Sequence, residues 1–561
     1  MHMPNDARTI VIGGGVAGGA SAAARARRLN ETARIILLEK DEHVSFANCG
    51  LPYYIGGEIK QRDKLLVATP QRFADWFNIE VRTRHEATAI DRAARTVTIR
   101  DHRERRNYDE AYDRLILAPG ASPIVPGMDG VDAPNVFTLR NVADTDRIKA
   151  FMDDHKPRRA AVIGAGYIGL EMVEMLRGLD MEVALVELLE QVLPPLDPEM
   201  ARLVESELAS HDVELHLGNG LGGFERARQQ HATAGPGERV ESVVLADGTK
   251  IAADMVIMGI GVRPSLCLAQ AAGLEIGEGG GIKVDAAMRT SDPLIYAVGD
   301  AVEYEHAVAG RSMRVPLAGP ANRSGRVAGE HAATDEGPVM RPVLGTAIVR
   351  VFDKTAGSTG LNQKQLEMMG RDHTAVWVPG AHHVGYYPGA EPMMLKLIFD
   401  PADGKVLGAQ AVGGAGVDKR LDVIATSISL GATIDDLAGL DLAYAPPFGA
   451  AKDPVHMAAF VAQNVMRGLD DVRPPSAAGE PDGVQWLDVR RPDEWEAGHL
   501  EHATWIPLKA LRGRLDELDR DRPVVTICRG GQRAYFASRL LRNAGFNNVA
   551  TLSGGMLMQQ P

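Results

Sequence analysis

Ala7-Arg-Thr-Ile-Val-Ile-Gly-Gly-Gly-Val-Ala-Gly18 is the stretch on which the fold turns. The apolar run Ala7–Ile12 predicts a short buried strand. Gly13, Gly15 and Gly18 then fit the spacing G-x-G-x-x-G, and an Ala-rich stretch to Leu29 predicts a helix. The first glycine allows a tight turn. The second lets backbone approach a pyrophosphate, and the third lets helix and strand pack closely, with the helix N-terminus facing the phosphate charge. A second strand, Arg34–Leu38, ends on Glu39, 21 residues past Gly18. An acid at that distance and at a strand end accepts a hydrogen bond from a ribose hydroxyl.

The pattern recurs. Strand Ala160–Ile163 leads into Gly164-Ala-Gly-Tyr-Ile-Gly169, a helix, strand Glu182–Val186 and the acid Glu187. Gly164, Gly166 and Gly169 take the three glycine roles. Two such βαβ units in one chain predict two Rossmann-like dinucleotide-binding domains and an α/β fold. Leu188, Leu189 and Glu190 follow Glu187 with no nearby Arg for a ribose phosphate, which favours NADH over NADPH.

The chain has 561 residues, enough for three or four domains. Its net charge of −13 argues against a nucleic-acid partner, so an anionic ligand needs a local basic patch. No run of about 18 apolar residues predicts a membrane span. The first residues, Met-His-Met-Pro-Asn-Asp-Ala-Arg, lack the regions of a signal peptide, which predicts a cytoplasmic protein. The three cysteines, Cys49, Cys267 and Cys528, form no Cys-x-x-Cys pair and no metal-ligand spacing. Any sulfur chemistry therefore uses single thiols, and no metal site is expected. A lone Cys is most often a small packing residue; Cys267, after Arg263-Pro-Ser-Leu, is read that way. Cys49 stands differently, close behind Glu39 and near a predicted helix start, where a thiol is expected to have a lowered pKa.

The order of the whole chain resembles the flavoprotein reductases with two dinucleotide-binding domains. The resemblance implies FAD on the first fingerprint and NADH (or NADPH) on the second. Leu115-Ile-Leu-Ala-Pro-Gly-Ala121 is similar to their crossover motif, which brings in Ala118 and Gly120. Ser291-Asp-Pro-Leu-Ile-Tyr-Ala-Val-Gly-Asp300 is similar to their second FAD motif, whose acid meets the ribityl chain. The same resemblance adds Lys40 to the cofactor set. It also places Glu171 near flavin and nicotinamide, although a buried helix acid with a structural partner is a competing reading.

Ser45-Phe-Ala-Asn-Cys-Gly-Leu-Pro-Tyr53 resembles the coenzyme A disulfide reductases and, through them, the NADH-dependent persulfide reductases. With no second Cys nearby, the sulfur partner of Cys49 comes from outside the chain. Tyr444-Ala-Pro-Pro-Phe448 resembles the family's C-terminal signature. It implies a homodimer in which Tyr444, joined by Tyr386, stands over the reactive sulfur of the other subunit. The same pattern implies coenzyme A contacts from Ser21, Arg25, Arg28, Ser45, Asn48 and Lys452; a solvated helix face is the other reading of the two arginines. Asp75-Trp-Phe-Asn78 departs from the family, which tends to carry a basic residue near position 77.

Val525-Thr-Ile-Cys-Arg-Gly-Gly-Gln-Arg533 predicts a strand, a small-residue loop and a helix. Loop N–H groups with Arg529 and Arg533 make an anion cradle around Cys528. The stretch resembles the sulfur-carrying loop of rhodanese domains, as Leu487-Asp-Val-Arg-Arg-Pro-Asp-Glu-Trp495 resembles their earlier motif. The expected organisation is then an FAD-binding domain from 1–120 and 265–332, an NAD-binding domain at 121–264, an α+β dimerisation domain at 333–467, a linker at 468–483 and a C-terminal α/β rhodanese domain at 484–561. The expected activity is NADH-driven reduction of small-molecule persulfides, polysulfide or coenzyme A disulfide through Cys49, with Cys528 carrying sulfur. Two rivals stand beside it. One is an NADH oxidase or peroxidase cycling a Cys49 sulfenic acid, disfavoured because the Gly13–Ala20 loop lacks a His. The other is a sulfur sensor that does not turn over.

Overall fold

The computed structural model describes residues 7–226, 239–479 and 483–559. The chain forms two bodies, one of residues 1–190 and 212–345, the other of 191–211 and 346–561.

Ten parallel strands build the two five-stranded sheets of the first body: β1 (Thr9–Gly13), β2 (Arg34–Glu39), β3 (Glu80–Thr83), β4 (Arg114–Leu117), β5 (Val136–Thr138), β6 (Arg159–Ile163), β7 (Glu182–Val186), β8 (Val213–His216), β9 (Met255–Met258) and β10 (Ile295–Ala297). One sheet runs β10-β4-β1-β2-β3 and the other β8-β7-β6-β9-β5. Ile10, Val11 and Ile12 of β1 and Ala161 and Val162 of β6 are wholly buried. Strands covered on both faces must be apolar at every position, which is why these read as continuous runs and not as alternating patterns. Helix α1 (Gly18–Leu29) follows β1, and the short helix α2 (Leu51–Ile55) follows the Cys49 turn. Helix α3 (Tyr167–Arg177) follows β6, and α4 (Ala318–Thr334) lies along α1.

The second body starts from an antiparallel sheet of Ala347–Val351, Lys354–Gly360, Val406–Gly413, Pro392–Phe399 and Thr374–Ala381, in that spatial order. Helices α5 (Val417–Ser429) and α6 (Pro454–Met466) pack with it. A parallel sheet follows in the order Val472–Arg473, Val549–Leu552, Val524–Ile527, Gln485–Asp488 and Thr504–Trp505, with helix α7 (Gln532–Asn543) beside it. Apolar clusters around Val524 and Leu541 and around Trp486 and Ala477 cover its two faces.

Three expected boundaries move. The span 468–483 is not a linker throughout. Val472 and Arg473 pair with Thr551 and Leu552 as an edge strand, Ala477 and Ala478 are core residues, and buried Asp470 accepts from the Ser538 hydroxyl at 2.7 Å. The Pro/Gly/Asp composition reflects turns within a domain; residues 480–482 of this span lie outside the described residues. Residues 333–345 belong to the first body, where Val343 N donates to Glu305 O and Met340 N to Ala286 O. Residues 191–211, expected within the NAD-binding span, belong to the second.

The reason for the last shift is a buried charge cluster. Lys396, fully buried on Pro392–Phe399, donates to Asp197 Oδ2 at 2.6 Å and to Glu199. Gln410 donates to Asp197 at 2.6 Å, and the Trp377 indole N–H to Glu199 at 3.1 Å. Asp197 and Glu199 open the helix Pro198–Ser210, so that helix is fixed to the antiparallel sheet. Removing one partner of a buried ion pair strands the other charge, at a cost of about 3–5 kcal/mol. Lys396→Met is therefore expected to lower unfolding stability by about 3 kcal/mol or more in denaturant titration. A loss no larger than that of an ordinary surface substitution would contradict this reading of the cluster.

Candidate active site

The two glycine loops are built alike. Gly164 follows β6 with φ +103°, and a Cβ there would lie 2.4 Å from the Gly259 carbonyl oxygen. A Cβ on Gly169 would lie 1.9 Å from the Gly164 oxygen. In the first loop these roles fall on Gly14 and Gly19. Gly14 has φ +108° and space for a Cβ only 2.0 Å from the Ala118 oxygen, and a Cβ on Gly19 would lie 1.7 Å from the Gly14 oxygen. Gly13 is the last residue of β1 and has ordinary φ. The first and third glycine roles thus sit one residue further on than Gly13 and Gly18, with Val16 at the middle position. Gly15 and Gly18 still border this turn: a Cβ on Gly15 would strike Val44, and one on Gly18 would strike Val298.

Both fingerprint acids grip their loops. Glu39 accepts from Gly15 N at 3.0 Å and from Asp41 N at 3.0 Å. Glu187 accepts from Ala165 N at 2.7 Å and from Leu189 N at 2.9 Å. Burial raises the Glu39 carboxyl above its ordinary value, against the pull of those two N–H donors. Neither α1 nor α3 has a side-chain N-cap bond, and nothing stands within 4 Å of a Cβ position on Gly166. Uncapped N–H groups over open space fit a pyrophosphate. Lys40 is exposed just past Glu39, and Gly120 turns with φ +65° beside Arg140. Asp300 lies in a 3-10 turn after β10, its carboxyl raised by burial and opposed by the Arg140 charge. Arg140 had no local sequence signal.

Cys49 lies in the 3-10 turn Asn48–Gly50, which runs straight into α2. The residue is exposed and free. Partial burial of its sulfur, followed by the charges of Glu171 and Asp300, pushes the thiol above the ordinary cysteine value. The expected lowering is therefore not supplied by the chain. The helix behind Cys49 has only five residues, and two acids outweigh it. Glu171 accepts from the Tyr53 hydroxyl at 3.1 Å.

Ser21 donates to Asn322 Oδ1 at 2.6 Å, pairing α1 with α4 across 301 residues; nothing in the sequence singled out Asn322. Arg25 does not stand free for a phosphate. Its guanidinium is committed to Glu330 at 2.6 and 2.9 Å. Arg28, exposed three residues on, keeps its place as a cation open to solvent, and Asn48 is also exposed. Ser45 is buried in the left-handed region, φ 51°, with its N–H on Gly15 O. Cys267, expected to pack, is exposed at the start of a short helix.

In the second body, Tyr386 and Tyr444 come together across 58 residues with hydroxyls 3.0 Å apart. That hydrogen bond raises the Tyr444 phenol above its ordinary value. Both rings are exposed, as are Phe448 and Lys452. Buried Cys528 closes Val524–Ile527, and Gly531 N donates to its Sγ at 3.1 Å. The Arg533 charge acts on Cys528, and its guanidinium forms a two-pronged pair with Glu494 at 2.6 and 2.7 Å, which drives the Glu494 carboxyl down to about 2. Arg529 is exposed at the rim of a 220 Å³ cavity shared with Arg490, Glu494, Ala497, Met556 and Leu557. Among the described residues no helix is long and apolar enough to cross a membrane. Glu207, His211 and Asp353 have ligand atoms close enough for a metal, although no metal site was expected from the sequence.

Gly14→Ala is expected to abolish FAD retention, whereas Gly13→Ala, with only Ala87 at 4.0 Å, should keep it. Flavin absorbance of the purified proteins checks this; equal retention would contradict the shifted register.

Comparison with known proteins agrees with this architecture. Residues 7–324 match the model of the pyridine nucleotide-disulphide oxidoreductases, 346–454 that of their dimerisation domain, and 471–557 that of the rhodanese-like domain. A coenzyme A disulfide reductase of Staphylococcus haemolyticus is 35% identical over 458 residues, covering 82% of this chain and 100% of its own. The structure of reduced Bacillus anthracis CoADR-RHD superposes with TM-score 0.93 and 45% identity over 99% of this chain and 98% of its own. A NAD-dependent persulfide reductase from A. fulgidus gives 0.91 and 40%, over 98% of this chain and 100% of its own. A water-forming NADH oxidase from Lactobacillus brevis gives 0.76 and 26%, over 82% and 99%. The chain belongs to the pyridine nucleotide-disulphide oxidoreductase family, among the flavoprotein reductases related to coenzyme A disulfide reductase, and carries a rhodanese domain at its C-terminal end.

Proposed function

We propose that this protein is a homodimeric, cytoplasmic, NADH-dependent reductase of sulfane sulfur. Its substrates are small-molecule persulfides, with coenzyme A persulfide the first candidate, and it also reduces coenzyme A disulfide. The observation that carries this reading is the pairing of one exposed, unpartnered thiol, Cys49, with a rhodanese loop around Cys528 in the same chain. A thiol without a resolving Cys takes its sulfur partner from outside, and a sulfur-carrying loop favours substrates that hold sulfane sulfur.

The loops around Gly14 and Gly164, with Glu39, Asp300 and Glu187, are the residues that would hold FAD and NADH. Bound flavin supplies hydride acceptance from NADH and delivery of two electrons to sulfur. The chain does the rest. The Cys49 thiolate attacks the carbon-bearing sulfur of R–S–SH, breaking the S–S bond; HS⁻ leaves and a Cys49–S–S–R mixed disulfide forms. Two electrons then break that bond, returning the Cys49 thiolate and releasing R–S⁻. The Tyr386–Tyr444 pair of the other subunit donates a proton to a departing sulfur and regains it from water. The balance is R–S–SH + NADH + H⁺ → R–SH + H₂S + NAD⁺. The exposure of Tyr386, Tyr444 and Phe448 supports a site completed by a second chain. For coenzyme A, Ser21, Arg28, Ser45, Asn48 and Lys452 remain the contacts. Arg25 acts there only through its pair with Glu330. Arg529 and Arg533 serve Cys528.

The likeness to a water-forming NADH oxidase favours oxygen or peroxide as the second reading. Cys49→Ser is expected to abolish NADH-driven sulfide release from coenzyme A persulfide, and Cys528→Ser to spare it. Full sulfide release by Cys49→Ser, or NADH consumption tied only to oxygen in the wild type, would overturn the proposal.

A further inference from the structure

The acids beside Cys49 raise a question that the reductase reading leaves open: what controls their effect on the sulfur. Cys49 and Tyr53 are four residues apart across the junction of the 3-10 turn and α2, and residues so spaced share one helical face. That face is turned toward α3. The end of α2 sits so close to α3 that a Cβ on Gly56 would lie 2.4 Å from the Met175 sulfur, and Met175 is one turn beyond Glu171. In this packing the Tyr53 hydroxyl meets the Glu171 carboxylate at 3.1 Å. Glu171 in turn acts electrostatically on Cys49.

We propose that Tyr53 is a positioning residue for Glu171, fixing by its hydrogen bond where that negative charge stands relative to the Cys49 sulfur. This rests on the reading of Cys49 as the reactive thiol. The charged groups that act on Cys49 come from two elements: Glu171 from α3 and Asp300 from the turn after β10, the latter balanced by Arg140. Of the two acids, Glu171 has a hydroxyl donor supplied by the helix that follows Cys49 itself. A donor on a carboxylate draws off part of its charge and holds the group in one orientation. Without it, more of that charge is felt by the sulfur, and the thiolate is disfavoured further. The arrangement sets the fraction of Cys49 ready to attack without adding a cation, which would also attract unwanted anions.

The test is the rate of Cys49 alkylation by iodoacetamide across pH, followed by mass spectrometry of the Cys49 peptide in reduced, FAD-loaded enzyme. Tyr53→Phe is expected to slow alkylation near neutrality about threefold, a shift of about half a pH unit, since one unit is tenfold. Glu171→Gln is expected to speed it by at least about as much, and adding Tyr53→Phe to Glu171→Gln to change nothing more. A packing role for Tyr53 would slow or speed both backgrounds equally. That result, no change in Tyr53→Phe, or no acceleration in Glu171→Gln would overturn the proposal. The measurement uses neither NADH nor a persulfide, so its failure is separable from failure of the reductase reading.

Discussion

Both nucleotide domains depend on one steric constraint, a strand-to-helix turn that leaves no room for a Cβ. At Gly14 the space is filled by the Ala118 carbonyl, and at Gly164 by the Gly259 carbonyl. In each case the crowding oxygen belongs to the residue that ends or follows the next strand of the same sheet. The turn is therefore held by the sheet and not by the loop alone. Glu39 and Glu187 complete the arrangement by taking one loop N–H each. The remaining N–H groups at the head of the following helix are left for an external anion. The turn also anchors the start of the Ser45–Cys49 segment, where the Ser45 N–H meets the Gly15 carbonyl.

The two sulfur centres of the chain have opposite surroundings. Cys528 receives a backbone N–H and stands beside Arg533, in a loop rimmed by Arg529. Such a site suits a persulfide, which carries negative charge. Burial, followed by the charges of Glu171 and Asp300, raises the Cys49 thiol. Negative surroundings disfavour a resting thiolate and suit a sulfur that spends much of its cycle in a neutral covalent bond, as in a mixed disulfide. Under the proposed function one sulfur stores and the other exchanges, and the electrostatics around each suit its task.

Much of this was legible in the sequence because it is local. The second glycine loop was read in its true register, because its three glycines admit one reading. The first was displaced by one residue: Gly13, Gly15 and Gly18 satisfy G-x-G-x-x-G, whereas the observed turn from Gly14 to Gly19 carries Val16 at the middle position and does not match that spacing. The Ala118 carbonyl, which leaves no room for a Cβ at position 14, sets the register. The Arg25–Glu330 pair and the Ser21–Asn322 bond join residues about 300 positions apart, beyond any helical or strand period, so Arg25 read as a free cation. The edge strand Val472–Arg473 is two residues long and has no period to detect, which is why its Pro-rich flanks looked like a linker. The helix Pro198–Ser210 follows the NAD-binding strands in sequence, yet the buried Lys396 charge draws it to the other body. Tyr386 and Tyr444 each lie in a motif of their own, and their hydroxyls meet at 3.0 Å.

The most direct test of the central claim, that Cys49 is a single-thiol centre awaiting external sulfur, is the mass of the Cys49 peptide. Enzyme with a free Cys49 thiol and oxidised flavin is incubated with coenzyme A disulfide without NADH, which releases one coenzyme A by thiol–disulfide exchange, and is then given NADH anaerobically. The account predicts a coenzyme A adduct on Cys49 that disappears stoichiometrically with NADH oxidation, releasing free coenzyme A. An unmodified Cys49, or an adduct that NADH leaves in place, would contradict it.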